Sequence, residues 1–217
     1  PDESAGKQML EEFNSASNEE LYLLVEKYAV TVQVISVNVS DYAQYKEEIS
    51  ALIVSKRVNE PFASSAQLEK CINSSIAEVK LNHADFDMIS TIISDYAGSI
   101  DLTIDEKYNG HEAETSTLFI NLREARPSEN SVSLLKEAMA LTVLNNSGRS
   151  EILSVLKRYN GFFGVDLDKA EKYDAVEIGK ALYDKNYSDV GAVKADYDNR
   201  IEKLSKNDNQ SKPSYSA

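Results

Sequence analysis

The sequence predicts an all-α protein, built as an elongated tandem array of three small three-helix repeats. Three observations predict this fold class: an apolar residue followed by Asn occurs three times, an apolar stripe with i, i+3, i+4, i+7 spacing follows it each time in the same phase, and a Tyr ends each stripe. The repeated blocks are FNSASNEELYLLVEKYA from residue 13, LNHADFDMISTIISDYA from residue 81 and LNNSGRSEILSVLKRYN from residue 144.

The first helix of each copy lies between the recurring Asn and the recurring Tyr. Each Asn is expected to break or turn the preceding helix, because its side chain can bond local backbone groups. Ser17, Asp85 and Gly148 occupy equivalent cap positions, and Ser17 with Glu20 spells a capping box. The recurring side chains are predicted to be structural packing positions: Asn14, Tyr28, Asn82, Tyr96, Asn145 and Tyr159.

The second helix is predicted more clearly in the first and third copies than in the second. In the second copy, STLFINL alternates between polar and apolar residues, so residues 115–122 are left open between strand and helix. Residues 31–39 of the first copy carry an alternating Val pattern that is typical of a strand, so minor strand content is left open there too. Gly98 and Gly161 are placed as helix C-terminal glycines.

The third helix of each copy follows a serine: Ser64, Ser128 or Ser188. Ser64 with Gln67 spells a second capping box. The predicted organisation is a leader segment 1–12, repeats 13–80, 81–143 and 144–204, and a flexible linker or tail 205–217 that is rich in Ser, Asn and Lys. No Pro-rich or Gly-rich linker separates the copies, so neighbouring copies are expected to pack against each other.

Composition narrows the classes of partner. The chain has 217 residues, with 23 Lys and Arg against 36 Asp and Glu, and a net charge of -13 disfavours nucleic acid and anionic membranes or polymers unless a cation intervenes. No run approaches the roughly 18 consecutive apolar residues of a transmembrane helix, so no membrane insertion is expected. The lone Cys71 excludes an intrachain disulfide, and an opening Pro1 without a signal peptide predicts a processed or excised piece of a longer protein.

A search for reaction chemistry yields no catalytic, cofactor-binding or metal-binding residue, and the chain is not predicted to be an enzyme. Cys71 lies beside Ile72 on a helix stripe and is interpreted as an inert buried thiol. His83 and His111 lack a His or Cys at ligand spacing. The segment DKNYSD (184–189) opens like a calcium loop but has Asp189 where Gly is required, and weak calcium binding at the acidic turns 101–106 and 166–168 is left open.

The third copy carries a resemblance to known proteins. Its Leu-Asn-Asn, its capped helix ending in Tyr, its Gly-x-x-x-x-Asp-Leu and its ALYDKNYSDVGAVKADYDNRI resemble the helical repeat modules of large secreted, S-layer-type cell-surface proteins of Gram-positive bacteria. The resemblance is best over 144–204, weaker over 81–143 and weakest over 13–80.

This resemblance implies an extracellular, cell-surface or cell-wall location and a structural spacer or protein-interaction role. The implied partners are other modules of the same polypeptide or surface proteins. Two alternatives stay open: a module that binds glycan or cell-wall polymer, and an accessory region of a polysaccharide-acting enzyme. A glycan module is expected to expose tyrosines outside the recurring set, such as Tyr22, Tyr183 or Tyr215. The specific ligand and the oligomeric state are not predicted.

Overall fold

Helices make up most of the described chain, and turns and irregular segments join them. The computed structural model of the protein describes residues 3–210, and among them there is no β-strand, which confirms the all-α prediction. The contacts divide the chain into two compact units, residues 1–103 with 130–132 and residues 104–129 with 133–217. The three-copy boundaries and the elongated arrangement stay predictions.

The first unit contains six α-helices and one π-helical turn at Lys27–Thr31. The helices are α1 (Glu3–Ser15), α2 (Asn18–Glu26), α3 (Val39–Gln44), α4 (Lys46–Asn59), α5 (Ser65–His83) and α6 (Phe86–Tyr96). The Ser17 backbone N–H donates to the Glu20 carboxylate at 2.7 Å. The Gln67 backbone N–H donates to Ser64 Oγ at 3.2 Å, while the Gln67 side chain accepts from Ala63 N–H at 2.8 Å. The predicted capping box at Ser17 is therefore present. At Ser64 only half of the predicted box forms, because Ser64 caps α5 but the Gln67 side chain accepts from Ala63 N–H instead of Ser64 N–H.

The core of the first unit forms along the predicted stripes. Leu21 and Val25 of α2 are fully buried, as is Ile89 of α6. The other helices add apolar side chains that solvent does not reach: Met9, Phe13, Ile49, Ile53, Leu68, Ile72 and Ile76. Burial of a large aliphatic side chain contributes about 1.5–3 kcal/mol, so these positions account for why each helix presents one face inward.

The Val-rich segment 31–39 is neither a strand nor a regular α-helix. After the π-helical turn the chain is irregular up to Asn38, and Gln33 adopts a left-handed φ of 57°. Asn38 then caps α3 by accepting a hydrogen bond from Asp41 N–H at 3.2 Å. Val30 and Val32 are exposed. The alternation therefore does not produce a strand, because no neighbouring strand among residues 3–210 offers backbone hydrogen bonds.

The second unit contains the later helices. They are α7 (Glu112–Ala125), α8 (Ser131–Asn145, whose first two residues group with the first unit), α9 (Ile152–Arg158), α10 (Asn160–Phe163), α11 (Ala175–Leu182) and α12 (Val190–Gln210), with short 3-10 turns at Glu106–Tyr108 and Leu167–Ala170. Residues 115–122 are helical, because Thr115, Leu118, Phe119 and Leu122 of α7 are buried at helical spacing. Helix α8 is buried on nearly every side over residues 137–144.

Helix α12 begins two residues after Ser188, and the Asp189 side chain accepts from the N–H of Ala192 at 3.0 Å at its start. Two other local assignments from the sequence need correction. Gly161 lies inside α10, and the left-handed Gly164, with φ of 58°, ends that helix, because a left-handed residue there costs least without a Cβ. The segment predicted as a linker, 205–217, begins as helix, since α12 continues to Gln210. The remainder of that segment lies outside the described residues, and the predicted leader 1–12 falls largely within α1.

Helix α11 approaches the turn before α9 very closely at Gly179. A Cβ added to Gly179 would lie 1.9 Å from the carbonyl oxygen of Arg149, a backbone atom that cannot move without its neighbours. The contact between α11 and α9 therefore requires glycine at this position.

Replacing Gly179 with alanine should lower the free energy of unfolding of the second unit by about 1–3 kcal/mol, as overpacking of a tight contact does. The measurement is urea denaturation followed by far-UV circular dichroism. Gly161→Ala is the matched control, because a Cβ there would meet no atom within 4 Å and alanine favours helix. Equal stability of Gly179→Ala and the wild type would show that the turn at Arg149 adapts freely.

Candidate functional site

Two of the recurring asparagines make the same pair of hydrogen bonds. Asn14, in the last turn of α1, donates from Nδ2 to the Phe62 carbonyl at 3.0 Å and accepts at Oδ1 from the Phe62 N–H at 2.9 Å. Asn145, the last residue of α8, donates to the Tyr187 carbonyl at 3.0 Å and accepts from the Tyr187 N–H at 2.8 Å. We call each arrangement an asparagine bridge. Each bridge fixes the backbone shortly before a long helix, α5 in the first unit and α12 in the second.

The third recurring asparagine also contacts the start of a later helix. Asn82 lies in the last turn of α5, and its Oδ1 accepts a hydrogen bond from the Ser131 hydroxyl at 2.5 Å. Ser131 is the first residue of α8. All three asparagines therefore lie at the end of one helix and bond to the segment at or before the start of a later one. The sequence prediction placed them at helix ends but did not identify these distant partners.

Each recurring tyrosine lies beside a cation that is paired with a carboxylate. In the first case, Lys27 Nζ lies 4.6 Å from the centroid of the Tyr28 ring. The same ammonium group donates to Glu12 Oε2 at 2.7 Å. The Tyr28 side chain is buried, and burial raises the pKa of its hydroxyl. The ring thus lies beside an ammonium group whose charge is neutralised by Glu12 of α1.

Tyr96 belongs to the best-buried ion pair of the first unit. Asp41 Oδ2 accepts from Lys80 Nζ at 2.6 Å and from the Tyr96 hydroxyl at 2.5 Å. Lys80 is only 8% exposed, and its ammonium group lies 5.5 Å from the Tyr96 centroid. Burial, followed by the hydrogen bond to Asp41, raises the pKa of the Tyr96 hydroxyl far above its usual range. A phenol that keeps its proton cannot act as a base or nucleophile, and Asp41 is already engaged twice, so this cluster is suited to packing.

Tyr159 repeats the pattern in the second unit with an arginine. The Arg158 guanidinium lies 5.9 Å from the Tyr159 centroid and forms an ion pair with the buried carboxylate of Asp105. The second oxygen of Asp105 accepts from the N–H of Lys107 at 3.0 Å. Burial raises the pKa of the Tyr159 hydroxyl. The Asp105 carboxylate is therefore held by a cation and a backbone amide, as expected of a structural ion pair.

The remaining candidates for reaction chemistry are Cys71 and His83. Burial raises the pKa of the half-buried Cys71 thiol, which disfavours the nucleophilic thiolate. The His83 ring stacks on Tyr45 with centroids 4.8 Å apart and lies 2.9 Å from the Glu48 carboxylate. Within residues 3–210, no group of three His, Cys, Asp or Glu side chains could hold a metal ion. None of the described helices is both long and apolar enough to span a membrane.

A surface groove of about 550 Å³ runs between α2 and α4. We call it the α2–α4 groove, and it is lined by Asn18, Glu19, Tyr22, Leu23, Lys46, Glu47 and Ser50. The Tyr22 ring packs on Tyr42 with centroids 5.7 Å apart, and Lys46 Nζ lies 6.0 Å from the Tyr22 centroid. The hydroxyls of Tyr42 and Ser50 lie 2.8 Å apart, and burial raises the pKa of Tyr42 to about 12. A fixed aromatic ring therefore forms part of the groove wall.

The two carboxylates of the α2–α4 groove are exposed. Hydrogen bonds from its own backbone N–H and from Ser17 lower the pKa of Glu19. A general acid that works near neutral pH needs a raised pKa, so Glu19 does not have the environment of a proton donor. Leu23 is 63% exposed beside these polar groups. The groove combines aromatic, aliphatic and hydrogen-bonding surface, which suits binding better than proton transfer.

The sequence points to Tyr22 as an aromatic residue outside the recurring set, but it does not identify the groove neighbours of Tyr22. Tyr183, named with it, is 40% exposed in the second unit, and its ring lies 4.9 Å from the Arg149 guanidinium. Tyr215 lies outside the described residues. Lys46 and Glu47 come from a different helix, and no local pattern links them to Tyr22. The position of Tyr22 outside the recurring set is therefore the only sequence feature that points to the groove.

No family model matches this chain, and no curated protein or solved structure shows significant similarity to it.

Replacing Asn14 or Asn145 with alanine should destabilise the corresponding unit by about 1–3 kcal/mol, because a part-buried backbone N–H and C=O lose their partners. The amide hydrogens of Phe62 in Asn14→Ala and of Tyr187 in Asn145→Ala should exchange faster, as measured by NMR. Asn14→Asp and Asn145→Asp should be destabilised in the same way, because an ionised carboxylate cannot donate the hydrogen bond to the Phe62 or Tyr187 carbonyl.

Asn59→Ala is the control for both variants. The Asn59 amide makes one exposed hydrogen bond of 3.3 Å to the Ser55 carbonyl, and its loss should change stability by less than about 0.5 kcal/mol. Unchanged exchange at Phe62 and Tyr187 would show that the bridges do not hold these loops.

Proposed function

We propose that this chain is a non-catalytic structural spacer or protein-interaction region of a bacterial cell-surface protein, built from three tandem three-helix repeats. The asparagine bridges are the observation that carries the proposal. Asn14 and Asn145 join backbone groups 48 and 42 residues further along the chain by the same two hydrogen bonds. A shared side-chain-to-backbone contact at equivalent positions is expected of copies of one unit.

The order of the helices supports the same proposal. A first helix, a second helix and a longer third helix occur in the same order as α2, α4 and α5, then as α6, α7 and α8, and then as α9, α11 and α12. The short helices α3 and α10 lie between the first and second helices of the first and third sets. A recurring Asn lies at or near the end of α1, α5 and α8. The last helix of one proposed copy thus leads to the first helix of the next through a short turn, which suits a continuous array.

The environment of the ionisable groups supports a structural role. At Tyr28, Tyr96 and Tyr159 the nearby cation is neutralised by a carboxylate of the same unit. These charges stabilise the fold and are not available to a substrate. The proposed partners are therefore met by outer surfaces, and they are other modules of the same polypeptide or other surface proteins. The cell-surface location rests on the resemblance of residues 144–204 to secreted helical repeats.

Antibodies against the purified chain should label intact cells of the source organism. Brief protease treatment of intact cells should remove that label while a cytosolic marker stays protected. Immunofluorescence with and without permeabilisation is the measurement. Labelling that requires permeabilisation would overturn the cell-surface location. The repeat architecture is tested separately: it would be overturned if Asn14→Ala and Asn145→Ala were as stable as the wild type.

The second candidate function is binding of a glycan or cell-wall polymer, and the α2–α4 groove favours it. The Tyr22 ring offers an apolar face, and Asn18, Lys46 and Glu47 offer hydrogen-bonding groups around it. Sugar rings present apolar C–H faces bordered by hydroxyls, which such a wall matches. An accessory region of a polysaccharide-acting enzyme would use the same groove.

On a glycan array and with isolated cell walls, the spacer proposal predicts no saturable binding by the wild-type chain. The comparison includes Tyr22→Ala and, as a matched control, Tyr183→Ala, which removes an exposed tyrosine of the second unit. Saturable binding that is lost in Tyr22→Ala and kept in Tyr183→Ala would replace the spacer role with glycan recognition at the α2–α4 groove.

A further inference from the structure

A basic groove lies between α11 and α12 of this acidic chain. It has a volume of about 390 Å³ and is lined by Lys180, Ala181, Lys185, Asp196, Asn199, Arg200 and Lys203. Four of these seven residues are basic, although the whole chain has only 23 basic residues against 36 acidic ones. We propose that this α11–α12 groove binds the phosphate group of a small anionic ligand. The proposal is independent of the spacer role.

Three segments bring the basic side chains together. Asp196, Asn199, Arg200 and Lys203 follow i, i+3, i+4, i+7 spacing and so lie on one face of α12. Lys180 comes from the last turn of α11, which packs against α12. Lys185 comes from the loop that joins the two helices. The groove is therefore a product of the helix pair, and not of a run of basic residues in the sequence.

Two of the four cations already hold an anion. Arg200 donates from Nη2 to Glu177 Oε2 at 2.6 Å and from Nε to the Glu177 carbonyl at 2.7 Å. Lys180 donates to the other oxygen of the same carboxylate. This hydrogen bond is the largest cause of the lowered pKa of Glu177. The Lys180–Arg200 pair thus stabilises a negative charge at one side of the groove.

The other two cations provide unneutralised charge. Within the described part of the chain, neither Lys185 nor Lys203 has a carboxylate oxygen within 4.0 Å. Asp196 is the acidic residue of the lining, and its carboxylate accepts from the Tyr187 hydroxyl at 2.6 Å. The four cations therefore exceed the two carboxylates of Glu177 and Asp196 by two charges. A phosphate group, which carries up to two negative charges and several acceptor oxygens, matches this surplus better than a single carboxylate does.

The loop that carries Lys185 is fixed before any ligand binds. Asp184 and Asn186, on either side of it, adopt left-handed φ values of 60° and 52°. The next residue, Tyr187, is held by the Asn145 bridge through its backbone and by Asp196 through its hydroxyl. A cation on a restrained loop loses less entropy on binding than one on a free loop. The second asparagine bridge therefore also positions one wall of the α11–α12 groove.

The charge of the whole chain limits the size of the ligand. A net charge of -13 repels a long polyanion such as nucleic acid. Within a Debye length of about 8 Å at physiological salt, a small phosphate compound meets mainly the local positive surplus. The expected ligand class is thus a phosphate or diphosphate group on a small molecule.

Isothermal titration of the full chain with inorganic phosphate and with pyrophosphate tests the proposal. Wild type should bind at least one of them, with affinity that falls as salt is added. The double variant Lys185→Gln/Lys203→Gln should bind about tenfold more weakly, as the loss of two exposed charge contacts implies. Amide shifts of residues 180–203 on titration should locate the site by NMR.

The control is Lys194→Gln/Lys206→Gln, which also removes two positive charges, both from positions of α12 that do not line the groove. Lys194 and Lys206 are paired with Asp198 and Glu202 on the same helix. The control should keep wild-type affinity. The proposal is overturned if wild type binds neither compound, if the control loses as much affinity as the groove variant, or if a single-stranded oligonucleotide binds more tightly than pyrophosphate.

Discussion

A primary amide that is donor and acceptor at once sets the geometry of both units. Asn14 and Asn145 satisfy the N–H and C=O of one loop residue each, and that residue lies just before the longest helix of its unit. A part-buried loop whose backbone groups are unpaired costs free energy comparable to a lost hydrogen bond. Fixing the loop fixes where α5 and α12 begin, and hence which of their faces meets the core. Lys80 of the Asp41–Tyr96 cluster lies on α5, and Arg200 and Lys203 of the basic groove lie on α12, so both features depend on that rotation.

The buried ion pairs add specificity to this arrangement. Taking Asp41 and Lys80 out of water is costly, and the pair is tolerated because Tyr96 supplies a further hydrogen bond and an aromatic face. An alternative packing that separated the partners would leave a buried charge uncompensated. In the second unit the same reasoning applies to the buried carboxylate of Asp105 alone, because the side chain of its partner Arg158 is 55% exposed. Apolar burial thus drives the helices together, while the ion pairs exclude packings in which the helices slide past one another.

The sequence predicts what periodicity and capping chemistry determine. The α2 and α6 stripes and the Ser64 cap depend on residues within two turns of each other, so the all-α class and several helix starts could be derived. The partner of Lys80 lies 39 residues away, and nothing in the local pattern of α5 identifies it. The wall of the α2–α4 groove likewise combines Tyr22 with Lys46 from a separate helix. At residues 32–38 the local pattern is misleading: it suggests a strand that the structure does not contain. An alternating pattern implies a strand only when another strand is present to pair with it.

The asparagine bridge has a mechanical consequence for a chain that is pulled from its ends. Each bridge joins residues 48 or 42 positions apart, so the intervening segment is a closed loop whose length stays hidden while the bridge holds. The two hydrogen bonds of each bridge share the load in parallel, and the segment can lengthen only after both have broken. The chain would then lengthen in separate steps, one for each bridge that breaks, instead of extending along its whole length at once.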